Sequence, residues 1–215
     1  MGEITLVRHG QANSAANNEI DYDKLSELGH QQAKWLGAWM AEHDQPYDAV
    51  FSGTLRRQRE TAAGMGFTDV TQDARLNEIA YYDLTDEMAV YRPDLPRTSP
   101  EDFAVHFPAT LQAWKDEHIK GVETYAAFQT RVTEVLAMAA QPGKRILCVT
   151  SGGIIAQVMA QTLALDIPQM ARIAIPIYNT SVHRFHVRDY GNLLATFNSA
   201  PHLDVADRIE ARTYY

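Results

Sequence analysis

The sequence has a single cysteine, Cys148, among its 215 residues, and this excludes an internal disulfide. Cys148 lies in an apolar run, where a buried strand residue is a better interpretation than a nucleophile. No apolar run approaches the length of a membrane span, and no basic segment with a long apolar stretch marks a secretory signal. We therefore expect a soluble protein of the reducing cytoplasm.

Basic residues are also scarce. Lysine and arginine total 19 against 27 aspartates and glutamates, giving a formal net charge of −8. This balance argues against general binding to nucleic acid or anionic membranes, which needs a basic face. A hydrophobic fraction of 46% with 21% charged residues is typical of one globular domain with a full core, so we expect residues 1–215 to form one domain.

Signals for metal or nucleotide binding are weak or missing. His183 and His186 stand three apart in a predicted strand, so they face opposite sides of the sheet and make a poor metal pair. The acidic group around Asp83 lacks the remainder of a calcium-loop pattern, and no nucleotide-binding glycine-rich loop ending in lysine is present. The sequence therefore predicts neither a metal site nor a cofactor.

Helical and strand patterns alternate along the chain. Ser26 is expected to cap a helix that runs to about His43, and a second amphipathic helix starts at Thr124. β-prone apolar runs predict strands at 3–7, 47–52 and 145–150, with helices over 55–65 and 153–165. Two late strands, 181–187 and 193–198, flank a hairpin signal. This order predicts a three-layer α/β/α sandwich with a mainly parallel sheet and an antiparallel strand.

The regular pattern weakens between Ile79 and Gly121, where four prolines interrupt aromatic and charged residues. A stretch of this length with little regular pattern inside a compact domain often serves as a functional insertion. We interpret residues 79–121 as a helical cap insertion.

The first strand leads directly into Arg8-His9-Gly10. In open α/β sheets, ligands bind in the crevice beyond the carboxyl ends of the strands. Arginine offers a planar fork for phosphate, a neutral histidine is a nucleophile able to accept a phosphoryl group, and glycine allows a close backbone approach. The tripeptide alone is weak evidence for such a site. The alternative is an ordinary strand end with a histidine whose hydrogen bonds are made within the protein.

Three later segments have a comparable setting. Residues 52–62 join a strand end to a helix whose first turns carry arginines, although a solvated basic face is the better interpretation for Arg56 and Arg59. Glu78 follows Arg75-Leu76-Asn77, and a carboxyl group near an anion pocket can act as general acid toward a leaving alkoxide. Residues 149–153 end a buried strand and open a helix whose first N–H groups can hold phosphate, unless they form a simple glycine turn.

Together these segments resemble the histidine phosphatase superfamily, in the branch that includes cofactor-dependent phosphoglycerate mutase. The resemblance extends to Leu25-Ser26-Glu27-Leu28-Gly29, Asn179-Thr180-Ser181 and the closing Asn198-Ser199-Ala200-Pro201-His202-Leu203. It implies a phosphoglycerate mutase-like fold. It also implies that His9 is the nucleophile, that Arg8 and Arg57 clamp the phosphoryl oxygens, and that Glu78 donates the proton.

The resemblance further implies phosphate contacts from Gly10, Asn13, Ser151 and Gly152. At Ser151 the chain departs from the family pattern, which has a second histidine before this glycine. A serine hydroxyl is shorter and carries no positive charge, and losing one preorganised donor costs about 10² to 10³ in rate. Arg56, Arg59 or His106 are candidates to compensate for the loss.

The sequence therefore predicts a phosphatase that hydrolyses phosphate monoesters of small molecules through a phosphohistidine on His9, slowed by Ser151. One alternative is a catalytically silent relative that binds phosphorylated ligands as a sensor or scaffold. A phosphohistidine-protein phosphatase is the other, although a long cap would narrow access for a protein substrate. Mutase activity is less favoured, because no dedicated bisphosphate site is visible. The resemblance allows a homodimer without requiring one.

Overall fold

A computed structural model describes residues 2–13, 16, 18–97 and 99–214. Within this part of the chain, six strands form one sheet in the order β3-β2-β4-β1-β5-β6. The strands are β1 Gly2–Arg8, β2 Ala49–Ser52, β3 Thr71–Gln72, β4 Arg145–Thr150, β5 Val182–Arg188 and β6 Gly191–Ser199.

The central strands of the sheet are parallel, as predicted. β1 pairs in parallel with β4, and β2 pairs in parallel with both β4 and β3. β5 is antiparallel to both of its neighbours, β1 and β6, so a single strand runs against the rest. The carboxyl ends of β1, β2 and β4 therefore meet at one edge of the sheet, where an α/β protein holds its ligands.

The described residues also form eight α-helices, which alternate with the strands along much of the chain. They are α1 Glu19–Tyr22, α2 Glu27–His43, α3 Arg56–Gly64, α4 Tyr81–Tyr91, α5 Pro100–Lys115, α6 Tyr125–Ala139, α7 Gly152–Leu163 and α8 Ile167–Ala174. The predicted cap at Ser26 is confirmed, since its side chain accepts from the Gly29 N–H. The helix predicted to start at Thr124 is confirmed as well, and the Thr124 side chain caps it by accepting from the Ala127 N–H.

Both faces of the sheet are covered, which confirms the three-layer arrangement. Side chains alternate along each strand, so Ile4 and Leu6 join one buried cluster while Val7 joins another. The larger cluster packs under α4 to α8, and the smaller one under α2 and α3. Cys148 lies fully buried in the larger cluster, where burial raises the pKa of its thiol to about 12.

Residues 79–121 are helical, as predicted, and they form two helices, α4 and α5. The sequence pattern did not predict where each of these helices begins and ends. Ser99 forms a capping box with Asp102 at the start of α5. Pro108 then lies inside the helix, where proline removes a backbone hydrogen bond. The helix continues because Phe107, Leu111 and Trp114 on its buried face pack into the core, and this tertiary contact outweighs local propensity.

Other elements were absent from the prediction because they are short or irregular. The strand β3 has two exposed residues that lengthen the sheet edge, and α1 has four residues. The helix α8 begins with its own capping box, between Asp166 and Gln169, directly after α7. Among the helices of the described residues, none is long and apolar enough to cross a membrane.

Candidate active site

The predicted site residues follow strands that end at the same edge of the sheet. His9 comes directly after β1, and Ser151 directly after β4. The turn after β2 leads into α3, which carries Arg57 in its first turn. Parallel pairing of these strands therefore brings three distant parts of the chain to one place.

A cavity of about 380 Å³ opens at this edge. Five of the predicted residues line it, namely Arg8, His9, Arg57, Glu78 and Gly152. The guanidinium of Arg57 and the imidazole of His9 thus share one pocket, as the hypothesis of a common phosphate site requires. Among the described residues that line the cavity, Arg8 and Arg57 are the only lysine or arginine side chains.

His9 is held with one ring nitrogen fixed. Its Nδ1 lies 2.7 Å from the carbonyl oxygen of Gly10, and a carbonyl can only accept a hydrogen bond. The proton therefore sits on Nδ1, and Nε2 keeps its lone pair. The backbone around His9 is anchored as well, since the Asn179 amide donates to the His9 carbonyl at 3.1 Å and the Thr180 N–H donates to the Arg8 carbonyl.

The environment of His9 keeps its imidazole neutral. Burial is the main cause, and the positive charges of Arg57 and Arg8 add to it, so the pKa of His9 lies well below its usual value near 6.5. A neutral imidazole has the free electron pair that a nucleophile needs.

Arg57 is almost completely buried, with 1% of its surface exposed. Its Nη1 donates to the Asp23 carboxylate at 3.1 Å, and its guanidinium lies over the Tyr22 ring, 4.9 Å from the ring centre. Thr61, one turn later on α3, accepts from the Gly10 N–H and donates to the Arg57 carbonyl. This hydroxyl ties the chain beyond His9 to the helix that carries Arg57.

The guanidinium of Arg8 is held by backbone carbonyl groups. Its Nη1 donates to the backbone carbonyls of Ile177 and Tyr214. Its Nε is buried and has no hydrogen-bond partner among the described residues. An unpaired buried N–H is costly, so this donor is suited to an anionic ligand.

Glu78 is fixed by two backbone donors. One carboxylate oxygen accepts from the Ile79 N–H, and the other accepts from the Gly153 N–H, both at 3.0 Å. Gly153 is required for this approach, because a Cβ there would lie 2.3 Å from a Glu78 oxygen. The carboxyl group is thus positioned at the cavity wall beside the start of α7.

Three predicted phosphate contacts do not line the cavity. The Gly10 N–H is taken up by Thr61, and the Asn13 amide donates to the carbonyl of Asp21. Ser151 is fully buried, and its Oγ accepts from the Gln58 amide at 2.8 Å. These side chains and this N–H therefore already have protein partners, and their phosphate roles stay predictions.

The candidates for compensating Ser151 also lie off the cavity wall. Arg56 and Arg59 are exposed, and Arg56 pairs with Glu60. His106 is buried in α5, with Nδ1 at 3.2 Å from the Thr110 hydroxyl. Within the described part of the chain, no three histidine, cysteine, aspartate or glutamate side chains are grouped so that they could hold a metal ion.

Sequence reasoning missed Tyr22 and Asp23, which hold Arg57 from the short helix α1 and the residue after it. It also missed the aromatic side of the cavity, where Tyr81 of α4 packs against Phe103 and Phe107 of α5. No motif marks these residues. The density of aromatic residues in the segment 79–121 was the only sequence signal for Tyr81, Phe103 and Phe107, and Tyr22 and Asp23 had none.

Buried histidines make the stability of the protein depend on pH. Burial, with the nearby Arg8 charge, lowers the pKa of His183 to about 3. Unfolded histidine binds a proton near pH 6.5, so stability is lost as pH falls from there toward the folded value. When the pH falls from about 6.5 to 5, the wild type should lose about 2 kcal/mol more of its unfolding free energy than the His183→Asn variant does.

Urea unfolding at the two pH values measures this difference. The same substitution at the exposed His118 is the control and should leave the pH slope unchanged. An equal acid loss in wild type and His183→Asn would contradict the prediction.

Comparison with known proteins shows the family of the chain. Residues 4–200 match the model of the histidine phosphatase superfamily (branch 1). The chain belongs to this superfamily. Over 94 residues it is 36% identical to a 2,3-bisphosphoglycerate-dependent phosphoglycerate mutase from Sinorhizobium fredii, in a match that covers 39% of this chain and 44% of that protein. The match therefore spans less than half the length of this curated relative.

Solved structures of other proteins share the fold at low identity. A phosphoserine phosphatase from Entamoeba histolytica, solved with phosphoserine, has a TM-score of 0.69 at 19% identity and covers 94% of this chain and 100% of its own. A phosphoglycerate mutase from Bacillus anthracis has a TM-score of 0.67 at 18% identity, with 94% of each chain covered. Phosphatases and mutases are thus both among the structural neighbours of this chain.

Proposed function

We propose that this histidine phosphatase hydrolyses phosphate monoesters of small molecules through a phosphohistidine on His9. The observation that carries the proposal is one cavity lined by a neutral imidazole, two guanidinium groups and a carboxyl group. The nucleophile, the charge-stabilising groups and the proton donor of a phosphoryl transfer are all represented in this set.

His9 starts the reaction. Because Nδ1 carries the proton and bonds to Gly10, Nε2 attacks the phosphorus atom. A bond forms between Nε2 and phosphorus while the bond from phosphorus to the ester oxygen breaks. The Gly10 carbonyl then stabilises the imidazolium character of the phosphorylated ring through the bond to Nδ1.

Arg8 and Arg57 stabilise the negative charge on the transferring phosphoryl group. Phosphoryl transfer depends mainly on positioning and charge, because the charge is spread over the equatorial oxygens. Both guanidinium groups are buried and held by fixed partners, so little reorganisation is needed when charge develops. The N–H groups at the start of α7 add a partial positive charge from the helix dipole.

Glu78 completes both half-reactions. In the first, the electron pair of the broken bond goes to the ester oxygen, which takes a proton from the Glu78 carboxyl. In the second, Glu78 accepts a proton from water as the water oxygen attacks phosphorus. The bond between nitrogen and phosphorus breaks, its electrons return to Nε2, and inorganic phosphate leaves.

Hydrolysis is favoured over mutase activity by the charge of the pocket. A bisphosphate needs cationic groups for its second phosphate. Apart from Arg8 and Arg57 beside His9, no lysine or arginine among the described residues lines the cavity.

The test is direct detection of the intermediate. The protein is mixed with phenyl phosphate, quenched in alkali within milliseconds, and digested for mass spectrometry. We expect an acid-labile phosphoryl group on the peptide that contains His9. Turnover without labelling of His9 would contradict a phosphohistidine route, and no turnover would favour the silent binding relative.

We further propose that Ser151 stands where relatives in this family carry a second histidine and that it limits the rate. Ser151→His is expected to raise kcat by about 10²-fold, since one preorganised donor contributes on this scale. An imidazole reaches farther than the serine side chain from a helix start where Gly152 already lines the cavity.

Ser151→Ala is the matched control. It removes only a hydroxyl that bonds to Gln58, so we expect kcat to change by less than about threefold. Steady-state kinetics and a melting curve are measured for both variants. An unchanged kcat in folded Ser151→His would remove the argument for a rate deficit.

A further inference from the structure

The cavity has lining residues that the proposed phosphoryl chemistry does not use. Three of them form an aromatic wall, which we define as Tyr81, Phe103 and Phe107. Phe103 and Phe107 are stacked with ring centres 5.2 Å apart, and Tyr81 lies 5.5 Å from Phe107. Ile79 and Ile175 line the cavity as well.

The hydroxyl groups of α4 that belong to cavity-lining residues already have protein partners. The Tyr81 hydroxyl lies 3.4 Å from His106 Nδ1, and the Tyr82 hydroxyl donates to the Ala16 carbonyl. The Thr85 hydroxyl donates to the carbonyl of Tyr82 at 2.7 Å. The hydroxyl groups of these side chains are thus hydrogen-bonded within the protein, and their apolar parts are available to contact a ligand.

The cavity has few charged side chains among its described lining residues. Its charged side chains are Arg8, Arg57 and Glu78, which the proposed reaction already uses. A substrate with a carboxylate or ammonium group beyond its phosphate would lose water without gaining an ionic partner among the described lining residues. Burying an unpaired charge is strongly unfavourable, whereas an apolar group gains by leaving water.

From these observations we infer that the substrate is the phosphate monoester of an uncharged, apolar alcohol or phenol, with an aromatic ring seated against the aromatic wall. The inference rests on the proposed function and adds the class of the leaving group. The cavity of about 380 Å³ is at the small end of ligand pockets, so the group is a single small molecule rather than a folded protein segment.

Binding of two non-hydrolysable phosphonates tests the inference without requiring turnover. Isothermal titration compares phenylpropylphosphonate with the phosphonate analogue of phosphoserine, and orthophosphate measures the shared anion end. We expect the phenyl compound to bind about 10- to 100-fold more tightly than the charged analogue. Equal binding, or tighter binding of the charged analogue, would overturn the inference.

A pair of variants on α5 locates the effect. Phe103→Ala is expected to reduce the preference for the phenyl compound about tenfold while leaving orthophosphate affinity unchanged. Val105→Ala, at a position with 54% exposure that does not line the cavity, should preserve the preference. A preference that persists in Phe103→Ala would contradict the role of the wall. Failure of the proposed function would give a different result. His9 would then not be labelled by phenyl phosphate, although the protein still bound the phenyl phosphonate selectively.

Discussion

Replacing His9 with alanine is expected to lower kcat/KM for phenyl phosphate by about 10⁴-fold or more, because covalent catalysis has no substitute once its nucleophile is removed. The arginines and Glu78 remain in place, so orthophosphate should still bind within about threefold of the wild-type affinity. Steady-state kinetics measures the first quantity, and isothermal titration with orthophosphate measures the second.

His43→Ala is the control for His9→Ala. His43 is an exposed histidine at the end of α2, remote in sequence from the cavity residues and not among those that line the cavity. We expect its kcat/KM to equal that of the wild type. Turnover in His9→Ala that stays within tenfold of the wild type would show that another group attacks phosphorus, and the proposed route would fail.

The second large effect is expected at Arg57. Arg57→Ala should lower kcat/KM by about 10³- to 10⁵-fold, the range found when a charge-stabilising arginine is lost in phosphoryl transfer. Arg57→Lys should recover only part of this loss, since an ammonium keeps the charge but not the planar fork that binds two oxygens. Melting temperatures show whether each variant folds.

Arg56→Ala provides the matched control for Arg57. The two residues are neighbours on α3, but Arg56 is exposed and pairs with Glu60. We expect Arg56→Ala to retain activity within about threefold, as is usual for exposed ion pairs. Full recovery in Arg57→Lys would contradict bidentate binding by Arg57.

Arg57 also affects the protonation of the nucleophile. Its positive charge is one cause of the lowered pKa of His9, after burial itself. Removing it should move the pKa of His9 upward, so a larger fraction of the imidazole is protonated at a given acidic pH. The acid side of the pH–rate profile of the weakly active Arg57→Ala should therefore shift to higher pH, which a purely structural role would not produce.

The sequence indicated the central part of the fold because its signals there are local. Strand β1 is an apolar run followed by Arg8-His9-Gly10, and Ser26 and Thr124 cap their helices with their own side chains. Periodicity and capping act within a few residues, so they can be read without the tertiary structure. The order of these elements then implied parallel pairing.

Residues 79–121 show where local signals fail. A proline such as Pro108 is unfavourable inside a helix. The helix α5 nevertheless continues through Pro108, because residues on one face of α5 are buried in the core. The aromatic wall depends on the packing of α4 against α5, and no spacing within either helix encodes that contact. The aromatic lining of the cavity was therefore visible only in the folded chain.

The predicted phosphate contacts stay predictions, and the structure adds the protein partners of these groups. The resemblance placed Gly10, Asn13 and Ser151 around the phosphate, while the structure directs their groups to Thr61, Asp21 and Gln58. A motif indicates which residue stands at a position. It does not indicate which of several hydrogen-bond partners its side chain meets.

The sequence by itself determined the family and the parallel core, and it predicted His9 as the nucleophile, because a buried strand that ends in Arg8-His9-Gly10 is a local feature of the chain. Only the tertiary structure decided that Arg57 and Glu78 share the cavity of His9, and that aromatic rings line the same cavity. The physical reason is that charge and burial depend on distances between remote segments. Folding sets those distances, and with them the neutral state of His9.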